Sequence, residues 1–394
     1  MSHQKQTELV QHPYTAPAGF ASASPGVFKA STVVFADMAA LRARNWKHKT
    51  GYTYGLHGTP TSFTLEERIA TLEGGTKTLL VPSGLAAIAL VDMALLKSGD
   101  EVLIPDNAYG PNKEFARHEL AGWGITHRVY DPLDAEALNA LIGPATKLIW
   151  LEAPGSVTME FPDLPALVRI ARARGVTTAL DNTWGAGLAF NAFDLTPGSP
   201  LGVDISIQAL TKYVSGGADV LMGSVVTRDD ALHQRLTFCH MRTGWGVGGA
   251  NDLELLLRSL PTLGVRYDAH DRAGRTLAAW WATQPQAVQV LHPALPGAPG
   301  HEHWKRLCTQ AAGLFSIVVD ERFSAAQVDA FVDALRLFKI GYSWGGPVSL
   351  VVPYDLKTMR GQPAWGGTVV RFSVGLEAVD DLIADCEQAL SALR

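Results

Sequence analysis

Between Lys77 and Thr227 the chain alternates between two periods, and few folds accept that alternation. Short apolar runs, "KTLLV", "EVLIP", "THRVYD", "KLIWLE", "TTALD", "ISIQAL" and "GSVVT", read as strands. "SGLAAIALVDMALLKSGD", "GPNKEFARHELAG", "DAEALNALIG" and "PALVRIARARG" lie between them and carry helical spacing. Strands apolar on both faces, alternating with helices, predict an α/β fold with a mostly parallel sheet covered on both sides. Upstream, "SFTLEERIATLEGG" predicts a helix capped by Ser62 and closed by a Gly pair. The first 60 or so residues are rich in Pro, Gly, Ser and Thr and read as an extended arm. Past about residue 255 the pattern changes. One long helical stretch (about 252–283) leads to the loop "HPALPGAPG", then to "GLFSIVVD", "SAAQVDAFVDAL", the loop "GYSWGGPVSL", "TVVRFSVGLE" and a closing helix. This predicts a smaller α+β unit, so that the arm spans 1–60, the large domain 61–255 and the C-terminal domain 256–394.

Composition removes several function classes. A formal net charge of -5 gives no reason to expect a nucleic acid or an anionic membrane as partner. Cys239, Cys308 and Cys386 are scattered, with no spacing for zinc or a disulfide framework, and read as reduced thiols. "MSHQKQTELVQHPYTAP" lacks a secretory pattern, and no apolar run approaches the roughly 20 residues of a membrane helix. The expectation is a cytoplasmic protein.

Open α/β sheets bind ligands beyond the carboxyl ends of their strands. Ser83-Gly84-Leu85 follows "KTLLV" and opens a helix, whose N–H groups favour an anion. Tyr109 follows "EVLIPDNA", Asp181 ends "TTALD" and Lys212 follows "ISIQALT". Taken singly, these read as a turn, a packed aromatic, a carboxylate that is a helix cap, a metal ligand or a charge partner, and a lysine nearer the surface than its strand. Together they supply a phosphate cradle, an aromatic that can stack, a carboxylate and a desolvated lysine. A desolvated lysine loses pKa and becomes an amine nucleophile and base. Pyridoxal 5'-phosphate needs this combination: a Schiff-base lysine, an acidic partner for its ring nitrogen and a phosphate site.

Nearly the whole chain resembles the Cys/Met-metabolism family of pyridoxal-phosphate enzymes. The stretches that carry the resemblance include "YGLHGTPTSFTLEERIATLEGG", "VPSGLAAIAL", "NAYGP", "ALDNTWGAG", "DISIQALTKY", "RSLPTLGVR" and "VRFSVGLEAVDDLIADCEQAL". "APGSVTME" and "YSWGG" resemble its β-eliminating branch. The resemblance implies the aspartate aminotransferase-like fold type I. It also implies that Lys212 forms the Schiff base, that Thr211, Gly84 and Leu85 contact the phosphate, and that Tyr109 stacks on the ring and assists proton transfer. It pairs Asp181 with the ring nitrogen and gives Arg371 the substrate carboxylate. Ser343 and Trp344 line the substrate side, and Tyr54 reaches the phosphate of a neighbouring subunit. The implied assembly is at least a homodimer, and further a homotetramer. The implied substrate is a sulfur amino acid, with L-cystathionine cleaved to homocysteine, pyruvate and ammonia. A cysteine or cystine lyase, a γ-acting relative and a non-catalytic cofactor-bearing regulator stand beside that reading. The chain departs from the family pattern at Leu56-His57 (where an arginine is common), Ala209 (serine), Gly216-Gly217-Ala218 and Val348 (glutamate). These departures bear on phosphate affinity and substrate choice.

Overall fold

The computed structural model describes residues 4–45, 51–196, 198–360 and 365–393. Seven strands form the larger sheet: β1 (Lys77–Val81), β2 (Glu101–Pro105), β3 (Thr126–Tyr130), β4 (Thr146–Glu152), β5 (Thr177–Asp181), β6 (Ile205–Ala209) and β7 (Gly223–Thr227). Their order is β1-β7-β6-β5-β4-β2-β3. Strands β2 to β6 pair in parallel. Side chains pack on both faces, with Leu79, Val102, Ile104, Leu148, Trp150, Ile205 and Val225 on one and Leu80, Leu103, Ile149, Leu151, Leu180 and Val226 on the other. Burial on both faces explains why these strands, apart from the exposed edge strand β3, read as nearly continuous apolar runs.

β7 is the antiparallel exception in the expected mostly parallel sheet. It runs antiparallel to both β6 and β1, although "GSVVT" reads like the strands before it. Residues 210–222 contain no helix, and a parallel return needs a crossover of a dozen or more residues, usually helical. With β7 reversed, β1 and β6 point the same way. The turn after Val81 and the turn after Ala209 therefore share the edge at which β2, β4 and β5 end.

The helix before β1 spans Pro60–Glu73, with Thr59 and not Ser62 as its cap. The Thr59 hydroxyl accepts from the Ser62 N–H at 3.3 Å, and the Ser62 hydroxyl accepts from the Thr59 N–H at 2.8 Å. This reciprocal box, followed by proline at the first helical position, moves the start three residues upstream. The expected single stretch at 252–283 is two helices, Ala250–Ser259 and Leu263–Trp281, parted by a 3-10 turn at Leu260–Thr262. Pro261 in that turn cannot donate to a preceding carbonyl. Among its described residues the arm carries two short α-helices, Lys5–Val10 and Met38–Ala43, and a 3-10 turn at Gly55–His57.

The second sheet contains β8 (Ala287–Leu291), β9 (Leu314–Val319), β10 (Lys339–Ile340), β11 (Leu350–Tyr354) and β12 (Val369–Ser373), in the order β10-β11-β12-β9-β8. Only β10 pairs in parallel. The sequence reading has no strand at β8 and leaves β11 in or beyond a loop. β11 contains Pro353, which argues against a strand from sequence, and β8 alternates polar residues with no turn signal of its own. β12 lies between β9 and β11, which places Arg371 opposite Ser316 and Val352.

Candidate active site

Lys212 lies just beyond the end of β6, in a turn whose Lys212 N–H donates to the Ala209 carbonyl at 3.1 Å. Its Nζ donates to Ser343 Oγ at 2.8 Å and stands 5.4 Å from the centre of the Trp344 ring. Burial, reinforced by Arg371 and opposed by Asp181, lowers the Lys212 amine to about 8. A useful fraction is then neutral near physiological pH, as a nucleophilic amine requires. Ser343 has φ 148°, a conformation that non-glycine residues rarely adopt. The next turn is held against the lysine loop: at Gly345 (φ +77°) a Cβ would lie 2.8 Å from the Tyr213 nitrogen. The Tyr213 and Trp344 rings pack 5.4 Å apart. Arg266 closes the loop after Lys212 by donating to the Tyr213 carbonyl at 2.6 Å and to Ser259 Oγ at 2.7 Å.

Asp181 ends β5, one strand away. Its Oδ1 accepts from the Thr183 N–H at 3.0 Å and the Thr183 hydroxyl at 2.5 Å. The same hydroxyl accepts from the Ala209 N–H at 2.9 Å, which ties the Asp181 turn to the strand leading to Lys212. Burial raises the Asp181 carboxyl, and the Thr183 bonds and Lys212 oppose it. Glu152 is opposite Asp181 in register and accepts from the Tyr109 N–H at 2.8 Å. Burial, then the Asp181 charge, pushes the Glu152 carboxyl well above the usual range. The half-exposed Tyr109 phenol is raised by burial and by Asp181 and Glu152, with Arg371 pulling the other way.

Gly84 opens the helix Gly84–Leu95, which Ser83 caps by accepting from the Ala86 N–H at 3.0 Å. The first N–H groups of a helix, those of Gly84 and Leu85 here, lack intrahelical acceptors. A Cβ on Gly84 would lie 2.6 Å from the Ala209 Cβ, so the helix start approaches the lysine strand more closely than any side chain allows. The Thr211 carbonyl accepts from Ser215 Oγ at 3.0 Å.

Arg371 is 7% exposed. It donates to the Ser156 carbonyl at 3.2 Å, and its guanidinium lies 5.2 Å from the Tyr354 ring centre. Among the described residues no carboxylate pairs with it. Tyr54 stands apart from this group. It is 44% exposed, accepts weakly from Ser31 Oγ at 3.4 Å and packs edge-on to His57. The structure thus gathers Lys212, Asp181, Tyr109, Ser343, Trp344 and Arg371, with Gly84, Leu85 and Thr211 on the same edge, and leaves Tyr54 on its own arm. Sequence reasoning missed Thr183, Glu152, Arg266 and Tyr354. The Asp-x-Thr spacing of an Asx turn was the available signal for Thr183. A groove of about 750 Å³ lined by Phe63, Glu66, Lys77 and Asp230 lies at the opposite end of β1, and none of the candidate residues borders it. Among the described residues no group of three His, Cys, Asp or Glu side chains could hold a metal ion, and no helix is long and apolar enough to cross a membrane. All three cysteines are free.

These residues fit pyridoxal 5'-phosphate. A lysine amine lowered to about 8 can condense with an aldehyde. Asp181, partly buried and fixed by two bonds, can face a ring cation, and the side-chain-free approach at Gly84 leaves helix N–H groups for a phosphate. Fold and site together define an enzyme of the pyridoxal-phosphate class. Within that class, residues 6–391 match the model of the Cys/Met metabolism PLP-dependent enzymes, and the chain belongs to this family. It is 37% identical over 392 residues to a cystathionine beta-lyase of Salmonella typhimurium, covering 97% of both chains. It is 37% identical over 373 residues to the cystathionine beta-lyase of Escherichia coli, covering 93% of this chain and 92% of the relative. Its fold matches the crystal structure of metB from Corynebacterium glutamicum with a TM-score of 0.88 at 28% identity, over 100% of this chain and 99% of the other.

Proposed function

We propose that the protein is a carbon-sulfur β-lyase that cleaves L-cystathionine to homocysteine, pyruvate and ammonia. The buried Arg371 guanidinium, with no carboxylate partner among the described residues and next to the lowered Lys212 amine, carries this reading. Such a group suits an α-carboxylate brought by the substrate, in the bidentate geometry that guanidinium favours. The names of the similar relatives support the choice of reaction.

When bound, pyridoxal phosphate supplies an electrophilic aldehyde and a ring that takes up the electron pair released at the substrate's α-carbon. Lys212 would hold that aldehyde, and its free Nζ would remove the substrate's α-proton and return a proton to the departing sulfur. Asp181 keeps a proton on the ring nitrogen, since an adjacent anion stabilises the charged form. Ser343 Oγ holds Nζ in place between these duties, while Trp344 lines the substrate side and Tyr109 would stack on the cofactor ring and assist proton transfer. The N–H groups of Gly84 and Leu85 and the Thr211 hydroxyl take the phosphate, joined by Tyr54 from a neighbouring subunit. That last role makes the active form at least a homodimer, and a homotetramer in the fuller reading. The protein works in the cytoplasm, in methionine biosynthesis.

The test is a substrate panel on purified protein, reading pyruvate from L-cystathionine, L-cystine and L-cysteine. L-cystathionine should be preferred, and Lys212→Ala should lose at least the 10²–10⁴-fold typical of a general base. Borohydride should fix the cofactor on Lys212. Preference for cystine or cysteine turns the reading into a desulfhydrase. 2-Oxobutyrate as product makes the protein a γ-acting enzyme. Cofactor on Lys212 without turnover makes it a regulator.

A further inference from the structure

A second arginine, Arg360, sits at the C-cap of the short helix Leu356–Met359. Its side chain is 11% exposed and inserts between two carboxylates of the larger sheet's loops. Nη2 donates to both oxygens of Asp106, at 2.9 and 2.8 Å, and Nε donates to Oδ2 at 3.3 Å. Nη1 donates to Glu160 and, at 3.3 Å, to Thr158 Oγ1. Lys113 completes the cluster by donating to the Asp106 carbonyl at 2.6 Å and the Met359 carbonyl at 3.1 Å.

Both carboxylates belong to segments that reach the site. Asp106 stands three residues before Tyr109. Glu160 accepts from Asn107 Nδ2 at 2.9 Å, and the Asn107 carbonyl accepts from the Ser156 N–H at 2.9 Å. The Ser156 carbonyl in turn holds Arg371 at 3.2 Å. An unbroken chain of bonds therefore runs from Arg360 through Glu160, Asn107 and Ser156 to Arg371. Asn107 and Glu160 are 4% and 3% exposed, so water cannot readily replace a lost bond in that chain.

We propose that Arg360 is a positioning residue for the substrate-carboxylate grip: by clasping Asp106 and Glu160 it fixes the Ser156 carbonyl, and the carbonyl aims the Arg371 guanidinium. The inference rests on the reading of Arg371 given above. Removing the clasp leaves two carboxylates facing each other across a narrow gap, and their repulsion parts the loops after β2 and β4. Arg371 then keeps its charge but loses its orientation.

The test titrates the cofactor-loaded enzyme with glycine, following the cofactor's visible absorbance. Glycinamide, which lacks the carboxylate, is the control probe. Arg360→Ala should weaken glycine by about ten- to a hundredfold, the usual cost of a small misplacement remote from the reacting centre, and shift glycinamide less than about threefold. Arg360→Lys should recover part of the loss. In an Arg371→Ala background, Arg360→Ala should add little, because both changes act on one grip. Equal weakening of both probes, additive losses, or unchanged glycine binding in Arg360→Ala overturns the inference while leaving Arg371 in its role. Unchanged glycine binding in Arg371→Ala overturns the carboxylate reading, and the clasp's purpose falls with it. Should Arg360→Ala not fold, Asp106→Asn and Glu160→Gln are expected to show the same glycine-selective loss in smaller measure, and its absence counts against the proposal equally.

Discussion

Replacing Arg371 by alanine should disable substrate capture while leaving the cofactor-holding residues in place. The side chain projects from β12, a strand paired on both sides, and is 7% exposed. Its contacts within the protein are modest: one carbonyl at 3.2 Å and the Tyr354 ring at 5.2 Å. Its burial is thus compensated only when a carboxylate arrives. Losing one partner of a buried hydrogen-bonded charge pair costs about 2–5 kcal/mol. At 1.36 kcal/mol per factor of ten, this is about 30- to several-thousand-fold in kcat/KM. Arg371→Lys should recover part, because an ammonium cannot reproduce the planar fork. Pyruvate release coupled to NADH oxidation measures the loss, and the cofactor spectrum should stay close to wild type. A second readout follows from the electrostatics. Arg371 helps to lower the Lys212 amine, so in Arg371→Ala that amine titrates at higher pH. Cofactor uptake by the cofactor-free variant should then need more alkaline conditions than the wild type. A variant with wild-type kcat/KM on an amino-acid substrate would refute the clamp, and an unmoved pH midpoint for uptake would refute its coupling to Lys212.

Gly84→Ala should lower affinity for pyridoxal phosphate by pushing the helix start away from Ala209, where a Cβ would stand 2.6 Å from its neighbour's; equilibrium dialysis showing unchanged affinity counts against the phosphate cradle. Glu73, buried and accepting from Asn182 Nδ2 at 3.1 Å and Ser206 Oγ at 2.5 Å, is raised by burial from 4.5 to about 7. A carboxyl raised on folding gives its full stability below about 4.5 and loses it as pH climbs to about 7, because the folded state then resists an ionisation that the unfolded chain accepts. Glu73→Gln should therefore gain stability relative to wild type across that window, by at most about 3 kcal/mol; denaturant melts with a pH-independent difference exclude this. Multi-angle light scattering of the active enzyme should show no monomer, because Tyr54 lies exposed on its own arm; a fully active monomer removes the shared-site reading.

The sequence alone determined the larger sheet and most of the chemistry on its edge. Strands β1, β2, β4, β5 and β6 are legible because burial on both faces demands continuous apolar runs, and that demand is local; β3, the exposed edge strand, reads as a strand without it. Lys212, Asp181 and Tyr109 are legible because polar groups at the carboxyl ends of such strands stand out against them. What sequence could not supply is whatever depends on which segments meet. The reversal of β7 follows from a missing crossover helix, not from "GSVVT" itself. Strand β11 depends on the partner that accommodates Pro353. Thr183 and Glu152 look ordinary until β4, β5 and β6 lie side by side. Arg360 is one surface-like arginine among many in the sequence. Only tertiary structure carries it across some 200 residues to Glu160 and about 250 to Asp106, where burial turns an ordinary cation into a clasp.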